Sequence, residues 1–134
     1  MLFLFGSHIE ESKIQIKICG ITRRTDLEEA GMLGVDALGL NFFPKSPRFV
    51  SHEIANQLLA NWPQGITPVG LLVQPNRETI ENLVNSVPGL AWLQFHRMEA
   101  PPPFPIPRPW FPAFSPANME EIQNIHAWLK AAKL

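Results

Sequence analysis

Apolar residues recur along this chain with two different spacings, and the switching between them predicts an α/β fold. In KIQIKIC, Lys13 to Cys19, residues Ile14, Ile16 and Ile18 take one side of a strand while Gln15, Lys17 and Cys19 take the other. TDLEEAGMLG follows as a helix: Thr25 and Glu28 stand at capping-box spacing, Leu27, Ala30 and Leu33 share a face, and Gly34 is a stop. DALGLNFF, Asp36 to Phe43, predicts a second strand. Ser51 then caps a helix carrying Ile54, Ala55, Leu58, Leu59 and Trp62, halted by Pro63. TPVGLLV predicts a third strand. NRETIENLVNSV predicts a third helix, with Asn76 as cap and Ile80, Leu83, Val84 and Val87 as its buried stripe. LAWLQFH is the fourth strand.

The rhythm breaks at APPPFPIPRPWFP, Ala100 to Pro112, where seven prolines remove backbone donors and fix φ. No helix fits there, so the segment is expected to be extended and irregular. PWFPAF is expected to supply a short fifth strand in which Pro112 takes an edge or a bulge. SPANMEEIQNIHAWLKAAKL predicts a last helix, with Ser115 as cap, Pro116 at the first helical position, and Met119, Ile122, Ile125 and Leu129 as its apolar stripe. Successive strand–helix units call for parallel strands joined by right-handed crossovers, with both sheet faces buried. An open doubly wound sheet and part of a (β/α)8 barrel both satisfy this. CGITRR, after the first strand, lacks the G-x-G-x-x-G phosphate fingerprint, which weighs against the doubly wound nucleotide-binding option.

Composition narrows the function classes. A chain of 134 residues with 46% hydrophobic positions fits one domain of ordinary size. A formal net charge of −1 leaves no basic field for a nucleic-acid backbone, so nucleic acid is not an expected partner. The lone Cys19 forms no internal disulfide, and no Cys/His spacing suits a structural zinc ion, so no metal is expected and the cytoplasm is the predicted compartment. Met1 to Phe5 are apolar but lack a basic flank and are too short for a signal core or a membrane span. Residues 1–13 read as a frayed extension, and no membrane association is expected.

Cys19 falls at the carboxyl end of the first strand on its less apolar side, where barrel enzymes gather catalytic groups, and Gly20 is expected to leave room for a ligand near the backbone. Spacing alone favours a small buried hydrophobe. A thiol working as a base near neutrality gains from a positive neighbour, because its ordinary pKa is about 8.5. Lys17 is the nearest candidate, about 7 Å back along the strand. In FFPKSPRFVS, Pro44 and Pro47 bracket a stiff loop after the second strand that would aim Lys45 and Arg48 over the mouth of a barrel.

KICGITRRTDLEEAGMLGVDALGLNFFPKSPRFVS, TPVGLLVQPN and LQFH, in this order, resemble the amino-terminal part of phosphoribosylanthranilate isomerase, a barrel enzyme of tryptophan biosynthesis. The resemblance runs from about Ile14 to His96 and fades afterwards, with PAFSPANMEEI similar to the family's fifth strand and the start of the next helix. It implies residues 14–134 as an incomplete barrel domain of about five strand–helix units, with residues 100–112 in place of the fourth helix. It also implies an Amadori rearrangement of a phosphosugar anthranilate from aminoaldose to aminoketose without any cofactor. Cys19 then resembles the base that removes the C2′ proton. Arg48 resembles the arginine that clamps the anthranilate carboxylate, a task suited to a guanidinium fork. Gln94 and His96 match the family's QLH element, written QFH here, and would line the same mouth, while His8, His52 and His126 have no such context and read as surface groups. The family's aspartate acid and phosphate loops belong to later units without a counterpart before Leu134; Glu99 is the nearest substitute acid. The chain alone is therefore expected to be inactive or to need a complementary polypeptide or self-association. The other reading is a non-catalytic remnant, or an interaction module that presents the Pro-rich segment to an aromatic groove.

Overall fold

A computed structural model describes residues 14–133. The expected extension at 1–13 lies outside the described residues, as does Leu134. The elements follow in chain order: β1 (Lys17–Cys19), α1 (Arg24–Met32), β2 (Ala37–Asn41), α2 (His52–Leu59), β3 (Thr67–Val73), α3 (Arg77–Ser86), β4 (Trp92–His96), β5 (Trp110–Ala113) and α4 (Met119–Ala132). All five strands are parallel, lie in sequence order and curl into a half-barrel, which is the predicted partial (β/α)8 architecture. Between β4 and β5 no helix forms; Phe104 and Ile106 of the Pro-rich segment pack against the core in its place. Pro112 sits in β5, an edge strand of the described sheet, where its missing N–H costs no ladder bond on the open side.

Strand parity divides the sheet into two faces. Leu38, Leu40, Leu72, Leu93 and Phe95 point outward into one cluster with Leu27 and Ala30 of α1, Ala55 and Leu58 of α2, and Ile80, Leu83 and Val84 of α3. Fully burying each leucine, isoleucine, valine or phenylalanine among them contributes about 1.5–3 kcal/mol. The concave face is thinner, with Ala37 and Val69 buried beneath Trp92 and Phe111. Side-chain caps form where Ser51 accepts from Ile54 N and Asn76 from Thr79 N.

Several local expectations are corrected. Thr25 does not cap α1 because the helix already starts at Arg24; the extended N-cap residue is Arg23, whose guanidinium has no acceptor for a helix N–H and instead donates to both carboxylate oxygens of Asp26. Leu33 is the C-cap residue, past the last full turn, and is exposed rather than part of the buried face. Ile54 lies on the outer side of α2 and is also exposed. β1 is shorter than its apolar alternation, leaving Ile14 and Ile16 exposed. The last helix starts not at Ser115–Pro116 but after Asn118, whose side chain accepts from Glu121 N, while Glu121 Oε2 accepts from Ala117 N at 2.7 Å. Its expected stripe turns inward only in part: Met119 and Ile122 are exposed and Ile125 and Leu129 half-buried, while Trp128 is the buried residue, its ring edge-on to Trp110 and Phe114.

Candidate active site

Ile18 packs into the outer core, so its neighbours Lys17 and Cys19 must face the concave side. Opposite Cys19 in the ladder stands Gly39 of β2. A β-carbon there would lie 2.9 Å from Cys19 Sγ and 3.0 Å from Lys17 Nζ, so the thiol and the ammonium share the space that a side chain at 39 would fill. The expected separation of about 7 Å describes two positions on a strand. The four-carbon stem of Lys17 carries its ammonium forward past that distance, to the thiol. Lys17 Nζ also donates to Gln94 Oε1 at 2.8 Å, bridging β1 to β4 across the glycine. Burial lowers the Lys17 pKa from its ordinary value, and the facing Cys19 thiol opposes that shift by charge and hydrogen bonding.

His96 closes β4 two residues beyond Gln94, on the same face. Its Nε2 is buried without a hydrogen-bond partner among the described residues. Burial, then the charges of Lys17 and Arg97, lower its pKa, so the imidazole is neutral at pH 7.

Arg48 reaches the same strand tip from the loop after β2. Asn41, a buried polar side chain at the end of β2, accepts from Phe43 N at 2.9 Å and donates to Ser46 Oγ at 3.0 Å. Ser46 Oγ in turn accepts from Arg48 N at 3.1 Å, and Val50 N returns to Asn41 O. These bonds and the two flanking prolines shape the loop so that Arg48 Nη1 donates to Cys19 O at 2.9 Å. The room expected at Gly20 is occupied: a β-carbon there would come within 2.6 Å of Arg48 Cδ, and φ is +91°. Gly20 is required by the arginine that lies over it rather than left open for a ligand. Lys45 is exposed on the same loop.

The structure thus brings Cys19, Lys17, Gln94 and His96 onto one concave face, with Arg48 at its rim. Glu99 instead lines a cleft of about 280 Å³ with Phe114, Glu121 and Trp128 against α4. His52 sets its ring edge-on to Phe42, and His126 is exposed on α4; His8 lies outside the described residues. Sequence reasoning missed Gly39, Asn41 and Ser46. The buried asparagine five residues before a serine in a proline-bracketed loop was the available signal for two of them. Nothing local marked Gly39, because its role comes from side chains on another strand.

Parallel strands in sequence order, with polar groups collected at their carboxyl ends, define a partial (β/α)8 barrel. Residues 16–107 match the family described as N-(5'phosphoribosyl)anthranilate (PRA) isomerase, and the chain belongs to that family. It is 43% identical over 93 residues to the N-(5'-phosphoribosyl)anthranilate isomerase of Leptothrix cholodnii, covering 69% of this chain and 42% of that protein. Against the same enzyme of Stutzerimonas stutzeri it is 42% identical over 110 residues, covering 81% and 53%. The chain spans about half the length of these curated relatives. Among solved structures, phosphoribosyl anthranilate isomerase in complex with reduced 1-(o-carboxyphenylamino)-1-deoxyribulose 5-phosphate superposes with a TM-score of 0.75 at 26% identity, covering 88% of this chain and 62% of that one. The enzyme from Thermotoga maritima gives the same TM-score and identity, covering 88% and 58%. No helix among the described residues is long and apolar enough to cross a membrane.

Proposed function

We propose that this chain carries the proton-abstracting part of a phosphoribosylanthranilate isomerase site in tryptophan biosynthesis, within the cytoplasm. Cys19 is the base: once the ring oxygen is protonated and the C1′–O bond breaks to leave a C1′=N iminium, the thiolate takes the C2′ proton. The C2′–H pair forms the C1′=C2′ bond, and the C=N pair returns to nitrogen to give an enolamine that tautomerises to the aminoketose. The Lys17 ammonium stands beside the sulfur as its counter-charge. Arg48 clamps the anthranilate carboxylate at the rim, and neutral His96 and Gln94 line the mouth around the sugar. The observation that carries this reading is the convergence of Sγ and Nζ over Gly39, with the Arg48 guanidinium one peptide away.

The reaction also needs an acid for the ring oxygen and donors for the phosphate. The chain has two aspartates, of which Asp26 is on α1 and Asp36 immediately precedes β2, at the opposite end of the strands from the thiol. In this reading those groups come from the remaining barrel units, whichever polypeptide carries them. The test follows the loss of phosphoribosylanthranilate fluorescence with the purified chain, alone and with a polypeptide carrying the sixth to eighth units. Turnover in the mixture that disappears in Cys19→Ser supports the reading; no turnover in either case removes it. A docking role for the Pro-rich segment is less well supported, because Phe104 and Ile106 are turned against the core rather than toward a partner.

A further inference from the structure

We propose that Gln94 is a positioning residue whose amide oxygen holds the Lys17 ammonium over Gly39 and beside the Cys19 sulfur. This rests on the reading of Cys19 as the proton acceptor and adds the group that fixes its counter-charge. Lysine carries a compact charge on a flexible stem, and Lys17 is only half-buried, so other rotamers would carry that charge to water. A single 2.8 Å bond from β4 closes the path. The missing side chain at Gly39 lets the bond form, since any β-carbon there would meet both Nζ and Sγ.

The chemistry of the acceptor matters as much as its position. A neutral amide oxygen immobilises the ammonium without cancelling its field at the sulfur. A carboxylate in the same place would hold the lysine equally well, but it would neutralise the charge the thiolate depends on and repel the thiolate directly. The ionisable groups facing the thiol are Lys17 on its own strand, His96 on β4 and Arg48 from the loop after β2; the concave positions of β2 and β3, Ala37, Gly39, Val69 and Leu71, carry none.

The experiment measures the rate of Cys19 alkylation by iodoacetamide in the full chain at pH 7 and pH 10, for the parent, Lys17→Met, Gln94→Met, Gln94→Glu and the Lys17→Met/Gln94→Met pair. At pH 7, Gln94→Met is expected to slow alkylation by about 3–10-fold, the size of effect a displaced unit charge has on a neighbouring thiol. Gln94→Glu, which keeps the shape of the residue, is expected to slow it at least as much. At pH 10 the rates should converge, and the paired variant should react no more slowly than Lys17→Met, because the glutamine acts through the lysine. An unchanged rate at pH 7 in Gln94→Met or Gln94→Glu overturns the proposal. So does equal slowing at both pH values, which marks mere loss of access, or slowing in the pair that is the product of the two single effects. Alkylation needs no turnover, so coupling without isomerase activity would remove the functional reading alone, and isomerase activity without coupling would remove the role of Gln94 alone.

Discussion

The first three strand–helix units and the segment after β4 are built from similar proportions of apolar residues, yet they bury them differently. In α3, Ile80, Leu83 and Val84 all reach the core, under a helix that is capped by Asn76 and flanked by α2. In α4 the apolar residues are more numerous and the Asn118 cap is as well formed, but Met119 and Ile122 remain exposed and only Trp128 is buried. The difference lies in neighbours. α3 packs across the outer faces of strands that are themselves paired on both sides, whereas α4 follows β5, which pairs only with β4 in the described sheet. An amphipathic stripe tells where a helix can be buried, and the surface presented to it decides how much of the stripe is used.

This contrast can be broken most forcefully at Phe95, where β4 joins the two regions. Its ring is fully buried and stacked on Trp110 at 5.2 Å. Phe95→Ala is expected to cost about 3–5 kcal/mol in denaturant unfolding, while Ile122→Ala in α4 should stay within about 1 kcal/mol. Equal losses would mean that α4 is as deeply embedded as the first three helices.

A smaller and more local effect is expected from Trp128→Ala. Removing the buried ring that ties α4 to Trp110 and Phe114 should abolish most amide-exchange protection in α4 while leaving β2 and β3 protected. Exchange that accelerates uniformly across the chain would instead make the last helix part of the same cooperative unit as the core.

The mildest test uses pH at the boundary strand. His96 has a folded-state pKa below its ordinary value because of burial and the charges of Lys17 and Arg97. The unfolded chain, whose histidine titrates near 6.5, therefore takes up the proton more readily, and its contribution to stability is present above about pH 6.5 and lost as pH falls toward the folded value. Denaturation midpoints should decline between pH 7 and 5, and His96→Gln should flatten that decline. A slope unchanged in the variant would assign the decline to other groups.

Much of the layout was legible from residue order. TPVGLLV is β3 to the residue, and Asn76 and Ser51 cap the helices they were expected to cap. Short-range patterns of this kind report on backbone preference, which is local. The misses share a cause. Thr25 falls inside α1, which starts one residue earlier behind Arg23 with no side-chain cap, and Ser115 lost the cap of α4 to Asn118 and Glu121, a competing N-x-x-E signal three residues further on. Where two local solutions compete, spacing does not rank them.

For the site, a strand's two-residue period was enough to put Lys17 and Cys19 on one face, whereas the choice of Cys19 as base and of Arg48, Gln94 and His96 as its companions came from the family resemblance of the motifs around them. Which of those groups touch was decided by tertiary structure. The bond from Lys17 to Gln94 spans 77 positions and passes over a glycine on a third strand, and Arg48 rests on Gly20 because Asn41 and Ser46 shape its loop. Contacts of that kind depend on register, curl and the absence of a side chain elsewhere, and no stretch of chain encodes all three.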